Sequence, residues 1–106
     1  MNLLKETVEF LEENGKSPRN VMFVCNDVSC MSFDDFCLVA DKINYDNGYG
    51  AAEIDEALKI VGDNWWLERH EYDGSEWWEF KTLPSRENKK VILREPSIKD
   101  AILYGR

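Results

Sequence analysis

Glu68, His70 and Glu79 are the residues of this chain whose types and spacing invite acid–base chemistry. Glu68 and His70 lie two apart, so an extended strand sets both on one side. Glu79 joins them if the chain folds back after Asp73-Gly74. Two carboxylates beside an imidazole share a proton or hold a cation. The competing reading is a solvated pair on an exposed strand face with no chemistry to perform, and with one histidine in the chain that reading is preferred. No catalytic residue is expected, and the protein is read as a non-enzyme.

The cysteines support the same reading. Cys25, Cys30 and Cys37, with His70 as a fourth ligand, have the composition of a zinc site. Their spacings lack the close C-x-x-C pairs such sites use. Cys25 sits in an apolar run and no basic residue adjoins any of the three, so none reads as an activated thiolate. Buried, reduced thiols are the expectation, with no metal and no cofactor. Gly48-x-Gly50 has the outline of a phosphate loop, but no lysine follows it and its surroundings are acidic.

With chemistry set aside, charge and aromatic residues carry the information. The 106 residues have a net charge of −8, unevenly spread: residues 1–80 carry −12 and residues 81–106 carry +4. Phosphate-backbone binding needs clustered Lys and Arg, so residues 1–80 are not expected to touch nucleic acid directly. An acidic balance favours a basic partner, or solubility alone. The length suits one domain spanning 1–106, with 43% hydrophobic and 12% aromatic residues indicating a globular chain. The N-terminal stretch lacks the basic start and apolar run of a signal peptide and no run approaches a membrane span, so with the odd cysteine count a cytoplasmic location is expected.

The elements follow from periodicity. Residues 2–14 read as a helix capped by Asn2, with Leu4, Val8 and Leu11 inward and Gly15 at its end. Its outer face carries Glu6, Glu9, Glu12 and Glu13. Such a face is either ordinarily solvated or imitates the charge of a nucleic-acid backbone. "VMFVC" (21–25) reads as a buried strand and "NDVSCMS" as a turn. Ser32 with Asp34 and Asp35 starts a helix over 33–42 that buries Phe33, Phe36, Cys37 and Ala40. A helical turn over 51–56 and a strand over 57–62 are expected next. "KKVILRE" reads as a further strand, and "SIKDAILY" as a terminal helix with Ile98, Ala101 and Ile102 inward.

All four tryptophans fall in "DNWWLERHEYDGSEWWEF" (63–80), as two adjacent pairs. Asp73-Gly74 is a strong signal for a two-residue type I′ hairpin turn. With that loop, Tyr72 faces Ser75, Leu67 faces Phe80, Arg69 faces Trp78, Trp66 faces Lys81, Glu68 faces Glu79 and His70 faces Trp77. Side chains alternate along a strand, so each pair must divide. Trp65, Leu67, Trp78 and Phe80 form an apolar face. Trp66, Glu68, His70, Tyr72, Trp77, Glu79 and Lys81 form a mixed one. The fold class predicted is α+β, an antiparallel sheet centred on the 65–82 hairpin with both helices on one face.

"INYDNGYG" followed by "KIVGDNWWLERHEYDGSEWWEFK" resembles a segment of small proteins encoded by phages and prophages of Gram-positive bacteria. The resemblance covers about residues 43–81 and brings no catalytic residue with it. It implies an inhibitor of host defence acting in the bacterial cell, of the anti-CRISPR kind, that occupies a basic groove of an effector nuclease. The basic tail, with Arg86, Lys89, Lys90 and Arg94, departs from simple nucleic-acid mimicry. Glu6, Glu9, Glu13, Asp34, Asp35, Trp66, Glu68, Trp77 and Glu79 are the expected partner contacts. Two other readings stand beside this one: a phage regulatory module dimerising through the tryptophan face, and a small enzyme or metal-binding protein built on Glu68, His70 and Glu79.

Overall fold

Asn2 starts the first helix as its side-chain oxygen accepts the Lys5 N–H at 3.0 Å. Helix α1 runs over Leu3–Glu13 in the computed structural model, which describes residues 1–46 and 51–85 together with Lys99, Ile102 and Leu103. Its end is a Schellman closure. Gly15 adopts φ 73°, its N–H bonds Glu12 O at 3.0 Å, and the Lys16 N–H bonds Leu11 O at 2.9 Å. The buried stripe is Leu3, Thr7 and Leu11, while Leu4 and Val8 are half-buried on its flank. Leu11 is buried as expected, while the other two positions of the stripe shift by one, from Leu4 and Val8 to Leu3 and Thr7. The cause is Thr7, whose hydroxyl donates to Leu3 O at 2.7 Å and accepts from the Trp78 indole at 3.0 Å.

Five antiparallel strands follow: β1 (Val21–Cys25), β2 (Cys30–Met31), β3 (Lys59–Gly62), β4 (Trp65–Tyr72) and β5 (Ser75–Thr82), in the order β2-β1-β3-β4-β5. Helix α2 spans Phe33–Ala40, capped by Ser32 Oγ on the Asp35 N–H at 3.1 Å. It buries Phe33, Phe36 and Ala40, leaves Cys37 half-buried, and stops two residues before the expected end. Both helices cover one face of the sheet, and the fold is α+β as the sequence predicts. Across that face Val24, Ile60, Leu67 and Phe80 form one row through four strands, with Trp65 and Trp78 beside it.

Several stretches differ from the sequence reading. "VMFVC" is not buried throughout: Val24 alone is fully enclosed, and a bulge between Val21 and Phe23 turns Met22 outward. Cys30 and Met31 form a short edge strand where a plain turn is expected. Residues 51–56 form no helical turn, because the Asp55 carboxylate takes the Ala57 N–H at 2.9 Å and its carbonyl the Leu58 N–H at 3.1 Å. Lys99, Ile102 and Leu103 are helical and exposed, so Ile102 is not the buried position expected. The expected "KKVILRE" strand, Ile98, Ala101 and the glycines of the 47–50 loop lie outside the described residues. No helix among the described residues is long and apolar enough to cross a membrane.

Candidate functional site

The β4–β5 hairpin builds the site. Asp73 at φ 52° and Gly74 at φ 87° supply the two positive φ values of a type I′ loop. The strands then pair from Tyr72–Ser75 to Trp65–Thr82 without a slip, in the register predicted from the loop. Each tryptophan pair divides accordingly. Trp65 and Trp78 are buried in the core, Trp78 bonded to Thr7 of α1, whereas Trp66 is half-buried and Trp77 is exposed on the opposite face.

On that open face both outer indoles are fixed by the same local device. Trp66 Nε1 donates to Glu68 Oε1 at 2.7 Å, and Trp77 Nε1 donates to Glu79 Oε2 at 3.0 Å. A Trp-x-Glu triplet in a strand places both side chains on one side, which is the sequence signal for this contact. Glu68 and Glu79 stand directly opposite each other, an arrangement that repels unless cations bridge it. His70 Nε2 lies 2.7 Å from Glu68 Oε2 and 3.5 Å from Glu79 Oε1, and Lys81 Nζ lies 3.2 Å from Glu79 Oε1. The structure thus assembles Glu68, His70 and Glu79. It also occupies both oxygens of Glu68 within the chain, one with an indole and one with the imidazole. Among the described residues no group of His, Cys, Asp and Glu is arranged to hold a metal ion.

The electrostatics of these carboxylates give a test. The Trp66 indole bond, then His70 and Lys81, hold Glu68 below the usual carboxylate value despite partial burial. Bonds from Trp77 and Lys81 do the same for Glu79. With folded values below unfolded ones, their contribution to stability is complete above the ordinary 4.5 and is lost as pH falls through the lowered values. Tryptophan fluorescence of the folded protein is therefore expected to hold steady through pH 4.5 and to change only below it. The change should be absent from a Glu68→Gln/Glu79→Gln variant. A transition at or above that pH that the Glu68→Gln/Glu79→Gln variant lacks contradicts the indole–carboxylate assignment.

The other face of the hairpin holds a buried ionic network that the sequence reading misses. Arg69, with a side chain 1% exposed, reaches Glu6 at 3.1 Å, Glu76 at 3.0 Å and the Tyr45 hydroxyl at 3.1 Å. Tyr45 donates to Glu6 at 2.6 Å. Glu76 also accepts the backbone N–H groups of Glu53 (2.7 Å) and Ile54 (3.1 Å), which ties the segment before β3 to the hairpin. The guanidinium sits 4.7 Å from the Trp78 ring centroid. Burial alone lowers the guanidinium's proton affinity, but the Tyr45 bond, the charge of Glu6 and the Glu76 bond outweigh it and the net shift is upward.

Glu6 is accordingly not a free surface acid; its carboxylate is committed to Arg69 and Tyr45. Glu9 and Glu13 are exposed and line, with Lys5, Phe10 and Trp77, a groove of about 570 Å³ between α1 and β5. Trp66, Glu68, Trp77 and Glu79 share the open sheet face. Asp34 and Asp35 stand apart on the first turn of α2, an element that packs on β1, with β3 between it and the hairpin. The nine predicted contacts thus form one contiguous hairpin-and-groove set and one separate pair, and Glu6 is structural. The thiols also differ from expectation: Cys25 and Cys37 are half-buried and Cys30 is exposed.

No protein-family model, curated protein or solved structure matches this chain.

Proposed function

We propose that this chain is a non-enzymatic acidic binding protein that docks on a basic protein surface, and that the partner is a bacterial defence nuclease of the CRISPR-effector kind, which the chain inhibits on behalf of a phage. The observation that carries the binding reading is the open hairpin face. The Trp66 and Trp77 indoles there donate to Glu68 and Glu79, next to a groove bordered by Glu9 and Glu13. Tryptophans are common anchors of interfaces. The net charge of −8 supplies long-range attraction to a cationic groove. The step from basic partner to nuclease rests on the resemblance of residues 43–81 to phage proteins. Both oxygens of Glu68 are already bonded, which favours a positioned surface over a general base.

The homodimer reading draws on the row Phe23–Val61–Trp66, which extends the apolar part of this face. A second copy brings the same −8 charge and is repelled, so a basic partner is preferred. Sedimentation at micromolar concentration is expected to show a monomer.

The test is association with a panel of purified RNA-guided nucleases. The on-rate is expected near 10⁸ M⁻¹s⁻¹ at low salt, about a hundredfold above an unsteered encounter, and to fall steeply as salt is added. The Trp66→Ala/Trp77→Ala variant should lose about 30-fold or more in affinity, mostly through faster dissociation. Association indifferent to salt, or undiminished in that variant, removes the proposal.

A further inference from the structure

Cys25 ends β1 and Cys30 begins β2, and the two are directly opposed in the antiparallel pair. The Asn26 N–H donates to Ser29 O at 3.0 Å, which makes 26 and 29 a hydrogen-bonded position. Such positions alternate along an antiparallel ladder, so Cys25 and Cys30 occupy a non-hydrogen-bonded one. There the Cα atoms approach to about 4.5 Å and the side chains are closest. A disulfide asks for a Cα separation of roughly 4.4–6.8 Å.

The intervening turn is fastened in this geometry. Asn26 Oδ1 accepts from the Val28 N–H (3.0 Å), the Ser29 N–H (2.9 Å) and the Ser29 hydroxyl (3.0 Å), and its amide donates to Asp55 at 3.1 Å. Val24 points into the core, so its neighbour Cys25 lies on the open sheet face, and Cys30 is exposed. Cys37 packs against the core from α2, on the other side of the sheet.

We propose that Cys25 and Cys30 form a reversible dithiol site that exchanges with low-molecular-weight disulfides of the glutathione class. The exposed Cys30, as thiolate, attacks one sulfur of the small disulfide; that S–S bond breaks and one thiol departs. Cys25 gives its proton to solvent, and its sulfur displaces the second small thiol from Cys30. The two protein thiols are oxidised to one disulfide, the small disulfide is reduced to two thiols, and the two protons end on the thiols released. The order follows from access, since Cys30 is exposed and Cys25 half-buried, and burial pushes the Cys25 thiol up. The product pins edge strand β2 to β1 at one end of the cross-strand row Cys30–Cys25–Lys59–Glu68–Glu79. The site stands independently of the docking proposal.

The experiment equilibrates the folded protein with mixtures of reduced and oxidised glutathione, then counts free thiols and weighs the intact chain. Free thiols are expected to fall from three to one, with the mass lower by two hydrogens, and peptide mapping should join Cys25 to Cys30. Dithiothreitol should restore all three. Cys37→Ser should oxidise like the wild type, and Cys25→Ser should stop at a stable glutathione adduct on Cys30. Retention of all three thiols, adducts without an internal bond, a bond to Cys37, or oxidation confined to urea-unfolded chain each overturns the proposal.

Discussion

Replacing Glu76 with alanine is expected to lower stability by about 3–5 kcal/mol, the range for removing one member of a buried ion pair. In a domain of this size that corresponds to a fall in Tm of the order of 15 °C or more. Arg69 and Glu76 have side chains 1% and 2% exposed, so no solvent replaces the lost partner. The carboxylate does more than neutralise the guanidinium, because it also accepts two backbone N–H groups from Glu53 and Ile54. Alanine orphans those donors, and glutamine fares little better. Its amide nitrogen must face either the guanidinium or a backbone N–H, all of them donors. Glu76→Gln, which preserves volume, is therefore expected to cost well over 1 kcal/mol, and a loss below about 0.5 kcal/mol would contradict the buried network. Chemical denaturation of both variants decides the matter. The same network raises the Tyr45 phenol from 10 to about 12, chiefly through burial and its bond to Glu6. A raised folded value means that this contribution is complete below pH 10 and disappears as pH rises from there toward 12.

The hairpin and the network explain why the sequence reveals some of this protein and conceals the rest. Asp73-Gly74 dictates its own φ values, and a two-residue loop leaves one register, so the pairing and the division of the tryptophans follow from local chemistry. Asn2, Gly15 and Ser32 likewise mark their helix ends through bonds a few residues away. The network has no local signature. Tyr45, Glu6, Arg69 and Glu76 come from four separate stretches, and each looks like a surface residue until the fold encloses it. The alternation rule already sets Arg69 on the side of Leu67 and Trp65, and a charge on an apolar strand face is a cue that a buried counter-charge exists somewhere. Which acid answers it is a question of tertiary structure. The Cys25–Cys30 pairing was hidden for another reason: a two-residue edge strand is too short to show any periodicity.

Within each tryptophan pair, adjacent residues of the same type should respond oppositely to the same substitution. Trp78→Ala is expected to cost about 3–5 kcal/mol, the range for emptying a packed indole site. Trp78 is 2% exposed, its Nε1–H bonds Thr7 and its ring lies against the Arg69 guanidinium. The vacancy leaves both polar partners facing a void. Trp65→Ala falls in the same class, because its ring stacks on Phe80 at 5.8 Å and lies over Gly62, where any Cβ would overlap the indole. That close approach makes Gly62→Ala a second route to the same damage. Trp77→Ala removes a ring that is 36% exposed and whose only hydrogen bond among the described residues is to a surface carboxylate, so about 0.5 kcal/mol is expected. Trp66→Ala, half-buried beside Val61, should fall between the two at about 1–3 kcal/mol. Urea denaturation of the four single variants measures the pattern. Equal losses at Trp77 and Trp78 would mean that something encloses the outer face as fully as α1 encloses the inner one, leaving no surface there for a partner. A wide gap leaves in Trp77 an indole that contributes little to folding yet keeps its hydrogen bond to Glu79, as the proposed docking face requires.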